Sequence, residues 1–193
     1  MNSAITIDII ENNPDLPWNW YWGVSINPNI TIEFIKKYSY KYWRWIYISR
    51  NPAITIDIIE NNPDLPWVWG YYGVSENPNL TIDFIKKHYD ESWNWVGVSL
   101  NPNITIYFIK HYDIYKKINW DGISKNKNIT TDNIENNINL QWNWFWGISA
   151  NPNITMDFIE KYIDKPWDWW KISYNKNINI DFVKNILIKI GIK

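Results

Sequence analysis

The sequence predicts an all-α protein, a short-repeat α-solenoid of helix pairs. Three observations carry the prediction. The second tryptophan of a WxW pair recurs at Trp20, Trp45, Trp69, Trp95, Trp120, Trp144 and Trp169, in steps of 24 to 26 residues, and a fixed period of about 20–50 residues marks a solenoid or array. A serine column follows (Ser25, Ser49, Ser75, Ser99, Ser124, Ser149, Ser173), with an asparagine column two positions on (Asn27, Asn51, Asn77, Asn101, Asn126, Asn151, Asn175). A threonine column (Thr31, Thr55, Thr81, Thr105, Thr130, Thr155, with Asn179 in the last copy) then opens an amphipathic run. The pattern reads as one uniform unit, and no glycine-, serine- or proline-rich spacer interrupts it. Residues 1–193 are therefore expected to form a single continuous array. It starts half-way through a unit, contains seven full repeats and closes with a capping helix at 178–192.

The threonine segment is the clearer helix. Thr31 suits an N-cap, and the slot two residues later is acidic in Asp8, Glu33, Asp57, Asp83, Asp132, Asp157 and Asp181. Lys36, Lys37, Lys86, Lys87 and Lys161 gather at the other end, so both ends complement the helix dipole. Ile30 and Ile35 have the spacing of a hydrophobic staple, and Phe34, Ile35 and Tyr38 form an apolar stripe. The tryptophan segment carries weaker signals. Asp15-Leu-Pro-Trp, Asp64-Leu-Pro-Trp and Asp164-Lys-Pro-Trp place an Asp cap before a first-turn proline, Ser92 offers a similar cap, and Asn27-Pro28 and its equivalents end the segment. A helix of about two and a half turns follows from these limits. Residues two apart on a helix point about 200° from each other, so one tryptophan of each pair would face the preceding repeat and the other the following one. The WxW spacing also suits a strand, and a β-solenoid is the alternative.

Composition narrows the function classes. Net charge is −1, from 19 basic and 20 acidic residues, without the basic excess a phosphate-binding surface needs, so no nucleic-acid partner is expected. Cysteine is absent, which removes disulfides and thiolate metal sites. No apolar run of membrane-spanning length and no signal peptide is found, so no membrane partner is expected.

Each candidate site has a structural reading. Burying one tryptophan removes about 150–250 Å² from water, worth about 4–6 kcal/mol, so the slot tryptophans Trp20, Trp45, Trp69, Trp95, Trp120, Trp144 and Trp169 are expected to build the repeat core. Trp22, Trp146 and Trp170 lie beside those slots and are expected nearer the surface. The asparagines are expected to bond turn backbone in a ladder, and the serines to bond back to a helix carbonyl. No histidine repeats beside the serines, so a nucleophile–base pair has no material. His88 takes the slot of Tyr38, a core-edge position, and His88 and His111 lack metal-ligand spacing. No catalytic residue, cofactor or metal site is assigned. The N-x-T triplets at Asn29, Asn79, Asn103, Asn128 and Asn153 read as turn asparagines ahead of threonine caps. Residues 113–131 depart furthest from the pattern, with Ile118 for tryptophan, Lys127 for proline and added bulk at Tyr115-Lys116-Lys117; drift is one reading, a bend or contact site the other. At the C-terminus, Ile186, Leu187, Ile188, Ile190 and Ile192 offer an apolar side for self-association, and an ordinary closing helix with Lys184, Lys189 and Lys193 outward is the alternative.

The phrase WNWxxISxNPNITxxFI resembles the short tryptophan-rich tandem repeats found in proteins of giant DNA viruses. The likeness covers essentially the whole chain. It implies a viral protein of host cytoplasm or virion, and no particular activity. More distantly, KPWDWWKISYNKNINIDFVKNI resembles the helix–turn–helix of an ankyrin repeat. Ankyrin units run to about 33 residues because a β-turn finger joins the pairs, and this shorter period has no room for one. The ankyrin finger therefore does not carry over.

The expected function is a non-enzymatic scaffold for a protein partner. Immediately before the asparagine column the residue changes in every copy: Ile26, Arg50, Glu76, Leu100, Lys125, Ala150 and Tyr174. A varied column on a constant frame is what a repeat-protein binding face looks like. The alternative is a self-assembling structural component of a virion or virus factory, joined through its terminal helix.

Overall fold

The computed structural model describes residues 5–111, 117–189 and 191. Positions 1–4, 112–116 (with Asp113, Tyr115 and Lys116), Ile190, Ile192 and Lys193, and the side chains of His111 and Lys189, lie outside the described residues. The chain folds into two compact units, Met1–Asn103 and Ile104–Lys193. Among the described residues there is no strand. The fold is all-α and repeating, and the β-solenoid alternative is excluded.

The first unit carries α1 (Ile7–Asn12), the 3-10 turn η1 (Val24–Ile26), α2 (Ile32–Lys37), α3 (Trp45–Ser49), α4 (Ile56–Glu60), η2 (Val74–Glu76), α5 (Ile82–Lys87) and α6 (Trp95–Leu100). The second carries α7 (Ile106–His111), α8 (Trp120–Lys125), α9 (Thr131–Glu135), η3 (Ile148–Ala150), α10 (Met156–Lys161), α11 (Trp169–Ile172) and α12 (Ile180–Lys189). The threonine helices start as expected. Thr6, Thr31, Thr55, Thr81, Thr130 and Thr155 each accept a hydrogen bond from the backbone N–H three residues on, and Thr130 with Asn133 closes a capping box. Ile30, Phe34 and Ile35 are buried behind the cap. Each helix is one and a half turns long, too short to be stable alone, so packing and caps hold it.

The tryptophan segment corrects the sequence reading. Instead of eight to ten residues, its helices have four to six, and in three copies only a 3-10 turn forms. Asp15, Asp64, Asp164 and Ser92 cap nothing and lie exposed, while the residues around the first tryptophan lie outside any helix. The first tryptophan explains why. Its indole Nε1–H donates to the carbonyl five residues upstream: Trp18 to Asn13 (2.8 Å), Trp43 to Tyr38 (2.9 Å), Trp67 to Asn62 (2.8 Å), Trp93 to His88 (2.7 Å), Trp142 to Asn137 (2.8 Å) and Trp167 to Tyr162 (2.9 Å). Those carbonyls stand at helix C-termini, where acceptors have no partner inside the helix. Reaching back to them holds the first tryptophan outside a helix, and the next helix starts only at the second tryptophan. Its cap is the residue before that tryptophan: Asn94, Asn119 and Asp168 accept from the first-turn backbone.

Serine and asparagine then tie neighbouring copies together inside each unit. Ser25 Oγ donates to the Trp20 carbonyl (2.6 Å) and accepts from the Arg44 N–H of the next copy (2.9 Å). Ser49, Ser75, Ser124 and Ser149 accept the equivalent N–H groups of Val68, Asn94, Asn143 and Asp168, each at 2.9 Å. Asn77 Nδ2 donates to the carbonyls of Ser49 (2.8 Å) and Ile54 (2.9 Å) in the preceding copy, while its Oδ1 accepts from Asn79 N–H (2.8 Å). Asn51 reaches the Asn27 carbonyl, Asn101 that of Asn77, and Asn151 those of Ser124, Asn126 and Ile129. The expected ladder is present, and it is buried. Buried polar groups are tolerated only when bonded in this way. The N-x-T asparagines are also engaged: Asn79, Asn103 and Asn153 donate to backbone carbonyls of the preceding copy.

The two tryptophans of a pair do face opposite neighbours. Trp20 meets Trp43 edge-to-face (5.2 Å, 89°) and stacks on Phe34 (5.8 Å). Trp45–Trp67, Trp69–Trp93, Trp120–Trp142 and Trp144–Trp167 repeat the edge contact. The second-slot tryptophans are half-buried in every copy. The solvent-free interior is mostly isoleucine and phenylalanine, such as Ile48, Ile54 and Ile85 in the first unit and Phe108, Ile123 and Ile129 in the second. Ile118 is buried in the slot of a first tryptophan. His88 takes the Tyr38 position as expected, against Trp69 and Phe84. The closing helix begins at Ile180 rather than 178, with Asn179 Oδ1 accepting from Phe182 N–H. Val183 and Ile186 are buried, and Ile180 and Ile188 are exposed.

Candidate functional site

Counting residues between the fixed points of the repeat locates two elastic intervals. Threonine to the next second tryptophan is 14 in every copy except Thr105–Trp120, where it is 15, and the larger variation lies elsewhere. The step from asparagine to threonine is four in every copy, and that from serine to asparagine is two. The step from second tryptophan to serine varies. It is four in Trp45–Ser49, Trp95–Ser99, Trp120–Ser124 and Trp169–Ser173, five in Trp20–Ser25 and Trp144–Ser149, and six in Trp69–Ser75. The uniform unit of the sequence reading is therefore two kinds of unit.

The hydrogen bonds show what the extra residues do. In the short copies the turn closes as an α-helix does: Val98 N–H bonds the Asn94 carbonyl (2.9 Å), and Ile172 N–H that of Asp168 (3.0 Å). In the five-step copies the same two positions close across one more residue, Val24 to Asn19 (2.8 Å) and Ile148 to Asn143 (2.7 Å). In the six-step copy Val74 bonds Val68 (2.7 Å) across two. The closing bonds are kept and the loop between them widens, as in a π-bulge. The residues pushed outward are Tyr21 and Trp22, Tyr71 and Tyr72, and Phe145 and Trp146, all exposed. Tyr72 stands at φ +58°, a left-handed conformation that a bulky side chain rarely adopts. Gly147 lets the widened turn lie against α8, because a Cβ there would sit 2.2 Å from Ser124 Cβ.

Two of the three aromatic pairs hold a cation from the following copy. The Arg44 guanidinium lies 3.7 Å from the Trp22 ring centre, 4.5 Å from Tyr47 and 4.9 Å from Tyr21. Its Nη1 is buried with no hydrogen-bond partner, so ring faces supply its electrostatic contact. Lys171 Nζ lies 4.0 Å from Trp146 and 5.1 Å from Phe145, and it also pairs with Asp168. That hydrogen bond holds the Asp168 carboxyl below its ordinary value. The third pair, Tyr71 and Tyr72, meets edge-to-face at 4.1 Å, and the hydrogen bond to Tyr72 raises the Tyr71 hydroxyl above the usual phenol range.

Six of the seven predicted face residues line hollows along the chain. In the first unit Ile26 and Arg50 line one hollow of about 340 Å³ with Tyr47 and Pro52. Glu76 and Leu100 line another of about 390 Å³ with Tyr71 and Tyr72. Arg50 and Glu76 form a long ion pair (3.5 Å). In the second unit Ala150 and Tyr174 share a hollow of about 540 Å³ with Trp170 and Lys171; Lys125 is half-buried at the end of α8. The structure thus pairs column residues across neighbouring copies and adds Arg44, Tyr47, Tyr71, Tyr72 and Phe145, which the sequence reading did not single out. The signal for the inserted aromatics was the uneven tryptophan–serine count. Arg44 and Tyr47, which lie in a short copy, had none.

No family model, curated protein or solved structure matches the chain. The arrangement offers ring faces, fixed cations and a carboxylate beside hollows. Among the described residues, no cluster of three or more His, Asp or Glu side chains could hold a metal ion. No described helix is long and apolar enough to cross a membrane.

Proposed function

We propose that this chain is a non-enzymatic repeat scaffold that binds a protein partner along the face of the widened turns. One observation carries the reading: the larger variation in repeat length sits between tryptophan and serine, and the residues added there are exposed aromatics. Exposed aromatics cost solubility and add little to a lattice closed by buried serine and asparagine, whereas aromatic residues and arginine are what protein interfaces enrich. From the resemblance to giant-virus tandem repeats we take host cytoplasm or virion as its location, and from the resemblance of its helix–turn–helix an ankyrin-like character without the finger.

The test is affinity capture from a eukaryotic lysate with the full chain and a variant carrying Trp22→Ser, Arg50→Ser and Trp146→Ser. A partner retained by the parent and lost by the variant at unchanged melting temperature supports the scaffold. A partner held equally by both refutes this face. A second reading, self-assembly, draws on the exposed Ile180 and Ile188 of α12; it requires mass to grow with concentration and Ile188→Lys to abolish that growth.

A further inference from the structure

The three widened turns are not equivalent, and the difference points to a ligand. Where the turn is Tyr21-Trp22, the next copy supplies Arg44 from the position before its second tryptophan. Where it is Phe145-Trp146, the next copy supplies Lys171 from two positions after that tryptophan. Where it is Tyr71-Tyr72, the same two positions hold Asn94 and Gly97, which carry no charge. An open hollow of about 390 Å³ lies between these tyrosines and α6. The column residue changes sign as well. Beside the two filled turns it is neutral, Ile26 and Ala150; beside the third it is Glu76. Arg50, from the preceding copy, approaches Glu76 Oε2 at 3.5 Å and the Tyr72 ring at 5.3 Å, and it does not line this hollow. The other Glu76 oxygen accepts no hydrogen bond.

We infer that the hollow formed by Tyr71, Tyr72, Glu76 and Gly97 is a recognition site for an arginine side chain of a partner protein, taking the place that Arg44 and Lys171 fill elsewhere in the chain. A guanidinium suits it better than an ammonium, because its plane stacks on a ring while its edge donates two parallel hydrogen bonds to a carboxylate. Asn94 is already spent capping α6, where its Oδ1 accepts from Val96 N–H (3.0 Å). The missing Cβ of Gly97 keeps the wall open; a side chain there would begin 3.0 Å from Glu76 Cγ. This inference deepens the scaffold proposal by naming the chemistry of one contact.

The test is an NMR titration of the full chain with N-acetyl-arginine methylamide, and in parallel with its neutral isostere N-acetyl-citrulline methylamide. Saturable shifts at the Tyr72, Val96 and Gly97 amides with a millimolar Kd are expected for the arginine probe, and at least tenfold weaker binding for the citrulline probe. Asn94→Arg, which supplies the cation within the chain as Arg44 does, abolishes the response while the protein stays folded by far-UV circular dichroism. Glu76→Gln weakens it several-fold. Equal response to both probes, no response to arginine, or full binding by Asn94→Arg overturns the site. Because the titration uses no partner, its failure leaves the lysate experiment to judge the scaffold, and the reverse also holds.

Discussion

Residues 20–27 and 45–51 occupy the same place in successive repeats and differ by one inserted residue. Both bury a serine and an asparagine, and both set the second tryptophan edge-on to the next copy. The shorter segment closes as α3; the longer closes the same bonds across a wider ring and extrudes Tyr21 and Trp22. The comparison separates two jobs within one motif. The lattice of first tryptophan, serine and asparagine sets the spacing of copies, and the interval between tryptophan and serine is free to vary in length and carries the surface chemistry.

Substitutions should respect that division. Trp67→Ala removes a buried ring together with the indole N–H that satisfies the Asn62 carbonyl, at an expected cost of about 3–5 kcal/mol in urea unfolding. Trp22→Ala, in the extruded turn, should cost less than about 1 kcal/mol, mostly through loss of the Arg44 contact. Equal costs at the two positions would erase the distinction. Asn77→Leu strips three hydrogen bonds from buried backbone and should destabilise by about 2–4 kcal/mol, since each orphaned buried group costs about 1–3 kcal/mol. Unchanged stability would show that the ladder is decoration.

Much of this division was legible before the structure. Thr31 and its equivalents announced helix starts because a hydroxyl three residues from a free N–H is a local device that sequence states directly. The serine and asparagine columns announced buried bonding through their regularity. The start of the tryptophan helix was misread, because Asp15-Leu-Pro-Trp has the grammar of a cap, while the deciding interaction is an indole reaching back to Asn13, which no propensity encodes. The extruded turns were hidden by treating an uneven spacing as even. Trp22 and Trp146 were noticed as extras; that they flank a cation could not be read, since Arg44 and Lys171 occupy different positions in their copies.

Smaller effects sharpen the picture. The Lys87 hydrogen bond and His88 hold the Glu60 carboxyl below its ordinary value. A depressed carboxylate contributes its stability above the unfolded-state value and loses it as pH falls through the folded-state value. The melting temperature should therefore drop on the acid side, and Glu60→Gln should flatten that limb slightly while leaving the neutral region alone. The opposite sign applies to Lys37 and Lys161, raised by their hydrogen bonds to Glu11 and Glu135: their contribution is complete below the unfolded-state lysine value and fades as pH rises through the folded one. Tyr72→Gly relieves the φ +58° conformation and should stabilise by no more than about 1–2 kcal/mol, the cost of a left-handed non-glycine residue, offset by the greater chain freedom of glycine.

The most direct test replaces residues 70–73, Gly-Tyr-Tyr-Gly, with the Val-Gly found after Trp95, so that a six-residue step becomes a four-residue one. If the lattice is independent of the turn, the variant melts within about 4 °C of the parent, a shift of about 1 kcal/mol for a chain of this size. It gains helical signal between Trp69 and Ser75 and no longer binds the arginine probe. A loss of stability as large as that of Trp67→Ala would contradict the account, because the widened turn would then be part of what holds the repeats together.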